Sequence, residues 1–241
     1  MASLMSFYLY TLLTISLSFN LIYAKQNFVI INQVPNHGGG IKFEKVIGGI
    51  AYTRPLMAKI NQYIWNVIFK QTNPADRKAV DTVELFIKDY DGAEGVTWGN
   101  NKINVSAIYL NEYRGPMTLK WEFTSLMYHE MTHVFQWNGE GKCPVGLVEG
   151  IADYTILRAN YYPPGFAPKG RGLRWDEGYD ITARFLEYCD GLVPEFTSKL
   201  NNMMRRTYDV SFFQQLTGKP VDVLWQEYKA KNPYTPPPAG V

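Results

Sequence analysis

Two histidines four residues apart, with a glutamate between them, are the part of this sequence best suited to chemistry: Tyr128-His129-Glu130-Met131-Thr132-His133-Val134. The chain holds only 3 histidines in 241 residues, so their pairing calls for a reason. On a helix of about 3.6 residues per turn, positions four apart share a face, with Cβ atoms about 5–6 Å apart. That spacing suits two imidazole nitrogens on one zinc ion, at about 2.0–2.1 Å each. Glu130 adjoins the first histidine and can reach a water at such a metal without ligating it. The HExxH pattern therefore offers two ligands, His129 and His133, and a general base, Glu130.

A catalytic zinc commonly has three protein ligands and one open position. The longer pattern HExxHxxGxxH would supply a third histidine. Here Gln136 and Gly139 occupy its glycine and histidine positions, so that class is excluded. His37, the remaining histidine, sits in the Gly-rich stretch His37-Gly38-Gly39-Gly40, read as a loop, and is a distant alternative. Glu149 is better placed. The turn Asn138-Gly139-Glu140-Gly141-Lys142 ends the first helix, and Cys143-Pro144 leads into a second that carries Glu149 and Asp153 on one face. Glu149 can complete a His-His-Glu set. Asp153 can accept the second ring N–H of His129 and fix its tautomer, or serve instead as the third ligand. Leu147, Val148, Ile151, Ala152, Ile156 and Leu157 make this a largely buried helix, where unpaired carboxylates are costly. A His-His-carboxylate set also holds Fe(II), Mn or Co; the helical spacing favours zinc. An oxyanion stabiliser is still needed. Tyr179, after Trp175-Asp176-Glu177-Gly178 and at the start of a helix, is the candidate, with Tyr154 and Tyr162 as weaker competitors among 17 tyrosines.

Other elements must position these groups. Residues 27–35 read as a strand, and Pro55 to Lys70 has apolar residues at helical spacing. Thr82 to Ile87 and Ile103 to Leu110 read as strands, with turn residues from Asp89 to Gly95. After Pro116 the pattern is helical, over Leu119–Trp137, Leu147–Arg158, Tyr179–Tyr188, Pro194–Met204 and Val221–Lys229. A sheet-bearing half followed by a helical half predicts an α+β fold with a cleft between the halves. Zinc enzymes that cut peptides commonly bind an extended substrate along a strand edge. Asn101 to Leu110, just before the HExxH helix, is the candidate, with an interior strand as the alternative. The basic run Lys169-Gly170-Arg171-Gly172-Leu173-Arg174 reads as a solvated loop.

Composition sets the frame. Hydrophobic residues make up 46% and charged residues 19%, enough apolar matter for a sizeable core and against a disordered chain. A net charge of +2 argues against nucleic-acid binding, which usually shows a clustered basic face. Residues 1–24 lack charge, are apolar from Leu9 to Ile22 and end on the small Ala24, the pattern of a signal peptide. A single domain over residues 25–232 and a loose Pro-rich tail over 233–241 complete the expected layout. In an oxidising compartment Cys143 and Cys189 are expected to pair. Asn104-Val105-Ser106 is the only glycosylation sequon, in a strand-like run that disfavours its use.

Three long motifs carry a resemblance: HEMTHVFQW, PVGLVEGIADY and WDEGYDITARFLEYCD. With them the chain, from about Val29 to about Tyr228, resembles the plant basic secretory protein family, a zincin-like peptidase family of plants and bacteria. The resemblance implies an extracellular protein (in the apoplast or cell wall if from a plant), a zincin-like fold, a peptide or protein substrate and a link to plant defence. The EGIAD spacing is similar to that of gluzincins, where the glutamate is a ligand and the aspartate supports a histidine, as Glu149 and Asp153 would here. The expectation is a secreted zinc metallopeptidase with Glu130 as base. The rival is a secreted defence or carbohydrate-binding protein whose metal site is structural or vestigial.

Overall fold

The computed structural model describes residues 26–99 and 101–236. The expected signal peptide, residues 1–24, and the last five residues of the tail lie outside the described residues.

Strand β1 (Asn27–Asn32) pairs in parallel with β2 (Thr82–Lys88). β2 pairs in parallel with β4 (Lys102–Ser106), and β3 (Gly95–Trp98) runs antiparallel to β4. The order is β1-β2-β4-β3. Alternation sets the faces: Val83, Leu85 and Ile87 of β2, with Ile103 and Val105 of β4, are fully buried, while the residues between them are partly open. β4 is therefore interior, and the free edge next to it is β3. The expected substrate edge at 101–110 is corrected on this point. That run also stops being a strand at Ser106, whose hydroxyl accepts from the Tyr109 N–H at 3.1 Å and caps α3 (Ala107–Glu112).

The chain passes from β1 to β2 through α1 (Gly38–Lys42) and α2 (Gly49–Tyr63). The Gly-rich stretch is thus a helix rather than a loop, and His37 is its cap: Nδ1 accepts from the Gly39 N–H at 3.1 Å. Glycine is required at 39, because a Cβ there would run into the backbone carbonyl of Ala107 on α3. α2 begins six residues before Pro55 and runs through it. The missing N–H there leaves one first-turn carbonyl without its helical partner, a local cost that the packing of Leu56, Met57 and Ile60 offsets.

Helix α4 (Leu119–Phe135) is the centre of the molecule. Thr118 caps its start, and Phe123, Met127, Met131, Val134 and Phe135 are buried. A helix apolar around most of its circumference must sit inside. It packs under the sheet on one side and against α5 (Val145–Arg158) on the other. α6 (Tyr179–Leu192), α7 (Phe196–Met203), α8 (Phe212–Thr217) and α9 (Val221–Lys231) complete the helical half. The sequence pattern does not predict α8, which is only six residues long. One core cluster runs from Phe28 to Tyr228 and joins both halves, as the α+β order predicts.

The cysteines are not joined. Cys143 is a buried free thiol whose Sγ lies 3.6 Å from Met204 Sδ, and Cys189 is a free thiol buried within α6. The expected bridge is corrected: each sulfur is packed into its own apolar surroundings. Asn104 stands on the interior strand with its Oδ1 buried, which suits packing rather than glycan attachment. The basic loop is pinned by α9, since the Lys229 ammonium donates to the Gly172 carbonyl at 2.7 Å. Among the described residues no helix is long and apolar enough to cross a membrane.

Candidate metal centre and cleft

The site stands where α4 and α5 cross beneath the free edge of the sheet. His129 and His133 are on successive turns of α4, and their Nε2 atoms approach to 3.0 Å. Glu149, on the second turn of α5, brings Oε2 to 3.1 Å from His129 Nε2 and 3.5 Å from His133 Nε2. The three ligand atoms all lie within 4.8 Å of one another. Two imidazole nitrogens and a carboxylate oxygen converging in this way are a donor set that zinc accepts. The side chains are 12%, 14% and 21% exposed, so the cluster is recessed but open on one side.

Asp153 takes the other side of His129: its Oδ1 lies 2.7 Å from Nδ1. It is thus on the far nitrogen from the cluster, whereas Glu149 is on the near one. Burial alone would lower the pKa of His129. The hydrogen bonds to Asp153 and Glu149 outweigh that and raise it to about 10 in the metal-free chain. Burial would raise Glu149, yet the hydrogen bonds from His129 and His133 hold it well below the carboxylate range.

Glu130 turns from the histidine face of α4 toward the sheet edge, still lining the same cleft, and is almost fully buried. The Thr97 hydroxyl on β3 donates to Glu130 Oε2 at 2.6 Å. Gly95, two residues earlier on β3, leaves the room: a Cβ there would stand 2.9 Å from Glu130 Oε1. The strand edge and the carboxylate are therefore fitted to each other. Tyr179 opens α6 with a positive φ of 46°, a conformation rare for a tyrosine and typical of constrained functional positions. It is 56% exposed, and its ring stacks on His129 at 6.1 Å between centroids. The Glu149 carboxylate, and then partial burial, raise its pKa, so the phenol keeps its proton and can donate.

These groups share one cleft of about 1030 Å³ between the two halves. β3 forms one wall and the segment from Pro163 to Phe166 another, with His129, His133 and Glu149 on the floor. Glu122 lines one end, held by the Tyr109 and Tyr113 hydroxyls at 2.9 and 3.2 Å. Of the alternatives weighed from sequence, His37 is a helix cap, Tyr154 is buried in the core, and neither it nor Tyr162 lines the cleft. Thr97 and Glu122 belong to none of the sequence motifs, and Gln136 stands there only as the residue that breaks the longer histidine pattern. Glu122 and Gln136 had a signal: they stand seven before His129 and three after His133, on or just past the same helical face. Thr97 had none, because β3 is only four residues long.

A part of the chain is similar to a protein named basic secretory protease from Boswellia serrata, at 41% identity over 58 residues. The match takes in 24% of this chain and 66% of that protein, just under two thirds of its length. No solved structure matches the chain. The family model is more extensive: described as peptidase of plants and bacteria, it matches residues 24–228, which takes in both halves and the whole cleft, and the chain belongs to that family.

Proposed function

We propose that the chain is a secreted zinc endopeptidase with a zincin-like fold, made as a single domain over residues 25–232 and released by removal of residues 1–24. The observation that carries this reading is the convergence of His129, His133 and Glu149 on the floor of an open cleft, with the Glu130 carboxylate beside them and in contact with none of the three ligand atoms. A site meant only to hold a metal has no use for a neighbouring base or for a cleft long enough to take a peptide. The leading segment and the name of the Boswellia relative support secretion, and the resemblance drawn from the motifs supports a role in plant defence.

His129, His133 and Glu149 hold the metal, and Asp153 keeps His129 in the tautomer that presents Nε2. A zinc ion bound there supplies a Lewis acid that polarises a carbonyl and lowers the pKa of water toward about 7. The substrate lies extended and antiparallel along β3, hydrogen-bonding the free strand edge. Glu130 takes a proton at its carboxylate as water attacks the scissile carbonyl, then delivers it to the leaving amine. The Thr97 hydroxyl holds one oxygen of Glu130 and leaves the other for this work. Tyr179 donates its phenol proton as a hydrogen bond to the developing oxyanion.

The test is made on the purified chain without its first 24 residues. It is expected to carry one zinc and to cleave casein or members of a peptide library. A zinc-replete chain that cleaves nothing across such a library would overturn the peptidase reading and leave the binding-protein alternative.

The histidine charge adds a pH prediction. His129, with a pKa of about 10, is protonated at pH 7, and its Nε2 must lose that proton to take a metal. Zinc binding at pH 7 is therefore expected to release at least one proton. The apparent affinity should fall about tenfold for each pH unit lowered through the neutral range. Calorimetric titration with zinc in two buffers of different ionisation enthalpy measures the release. Buffer-independent heats would show that His129 is already neutral.

A further inference from the structure

The two histidines are supported differently. Behind His129 stands a carboxylate, an obligate acceptor. Behind His133 stands the side-chain amide of Gln136, with Nε2 3.2 Å from His133 Nδ1 and 3.2 Å from the Val148 carbonyl oxygen. Gln136 ends α4 with an extended backbone (ψ 151°), so its side chain returns over the last turn to the histidine three residues back. It is only 2% exposed, and its Oε1 is buried without a partner. The two Nε2 atoms face the metal position, so a metal-loaded His133 carries its remaining hydrogen on Nδ1. With Nε2 turned to His133, as in this structure, an NH₂ group would then face an N–H, donor against donor. Turning the amide over removes that clash and gives the orphaned oxygen its hydrogen bond, in exchange for the bond that Nε2 donates to the Val148 carbonyl. Val148 lies inside α5, where its carbonyl also has a helical partner, and it adjoins Glu149. The Gln136 amide thus touches both metal-bearing helices.

On the metal-site reading above, we propose that Gln136 is a positioning residue for the metal centre: with a metal on His133 Nε2, its side-chain oxygen accepts from His133 Nδ1–H.

The experiment compares wild type with Gln136→Met and Gln136→Glu. Methionine keeps length and burial but offers a ring N–H only a weakly accepting thioether. Glutamate is an acceptor in either orientation, as Asp153 is behind His129. Zinc affinity is read by competition with a chromophoric chelator, with metal-free melting recorded alongside. Gln136→Met is expected to bind zinc about tenfold more weakly or worse, and Gln136→Glu to stay within about threefold of wild type. In zinc-loaded wild type, proton–nitrogen correlation spectra should show a slowly exchanging His133 Nδ1–H, kept in Gln136→Glu and lost in Gln136→Met. Equal weakening in both variants, no weakening in either, or no protected Nδ1–H in the loaded wild type would overturn the proposal. A wild-type chain that takes up no zinc at all would instead sink the metal-site reading itself, so the two failures are distinct.

Discussion

Glu130→Gln is expected to keep its zinc and to lose about 10²–10⁴-fold in the rate of peptide cleavage, the usual range for removal of a general base. The amide matches the carboxylate in shape and can still accept the Thr97 hydroxyl, which lies 2.6 Å from Oε2. The almost fully buried position is therefore filled as before. What is lost is the capacity to take a proton. The ligand atoms of His129, His133 and Glu149 do not involve Glu130, so the metal content should not move. Zinc per chain by elemental mass spectrometry and kcat on one chosen peptide, measured on both proteins, check the two halves of this expectation. Unchanged activity would remove Glu130 from the chemistry. Loss of zinc together with activity would show that the residue holds the site together instead.

Much of the site was legible because its parts are short-range. His129, Glu130 and His133 lie in one helix, and four-residue spacing on a helix is itself geometry. Glu149 and Asp153 repeat that spacing on the next helix, so one short connection from 136 to 144 was enough to bring them close. What spacing alone left open was which acid faces which nitrogen. That is settled by the crossing of α4 and α5, where Glu149 meets Nε2 and Asp153 meets Nδ1. The strand edge was harder. β4 looks like a strand because Ile103 and Val105 alternate with polar residues, whereas β3 has no such pattern in Gly95-Val96-Thr97-Trp98. Its pairing is conferred by β4. Interior or edge position is a property of sheet order, which depends on distant β1 and β2. The helix at 38–42 was hidden for a related reason: three glycines argue for a loop locally, and only close approaches explain them, of Asn111 at Gly38, Ala107 at Gly39 and Val34 at Gly40. The cysteine pairing failed because compartment chemistry permits a bridge without placing the two sulfurs together.

Glu149→Ala is expected to weaken zinc binding by at least about 100-fold, and Asp153→Ala by about 10–100-fold, the range for a group that acts through a ligand. The order follows from position. Glu149 Oε2 lies 3.1 Å from His129 Nε2 and 3.5 Å from His133 Nε2, so its removal takes away one of three converging atoms. Asp153 lies 2.7 Å from the far nitrogen of His129, and its loss frees the imidazole to turn without removing a ligand. The metal-free proteins add an independent check on the same assignment. The charged His129 is balanced by both carboxylates, so either substitution lowers its pKa, and the pH above which zinc binding no longer releases its proton should move down in both variants. Affinities from chelator competition separate the roles: the larger loss identifies the ligand, and the smaller loss identifies the support. An inverted order, with Asp153→Ala the more damaging, would make Asp153 the third ligand. It would require α5 to be turned about its axis relative to α4, carrying Glu149 away from both Nε2 atoms, a packing that the buried faces of Leu147, Ile151 and Tyr154 oppose.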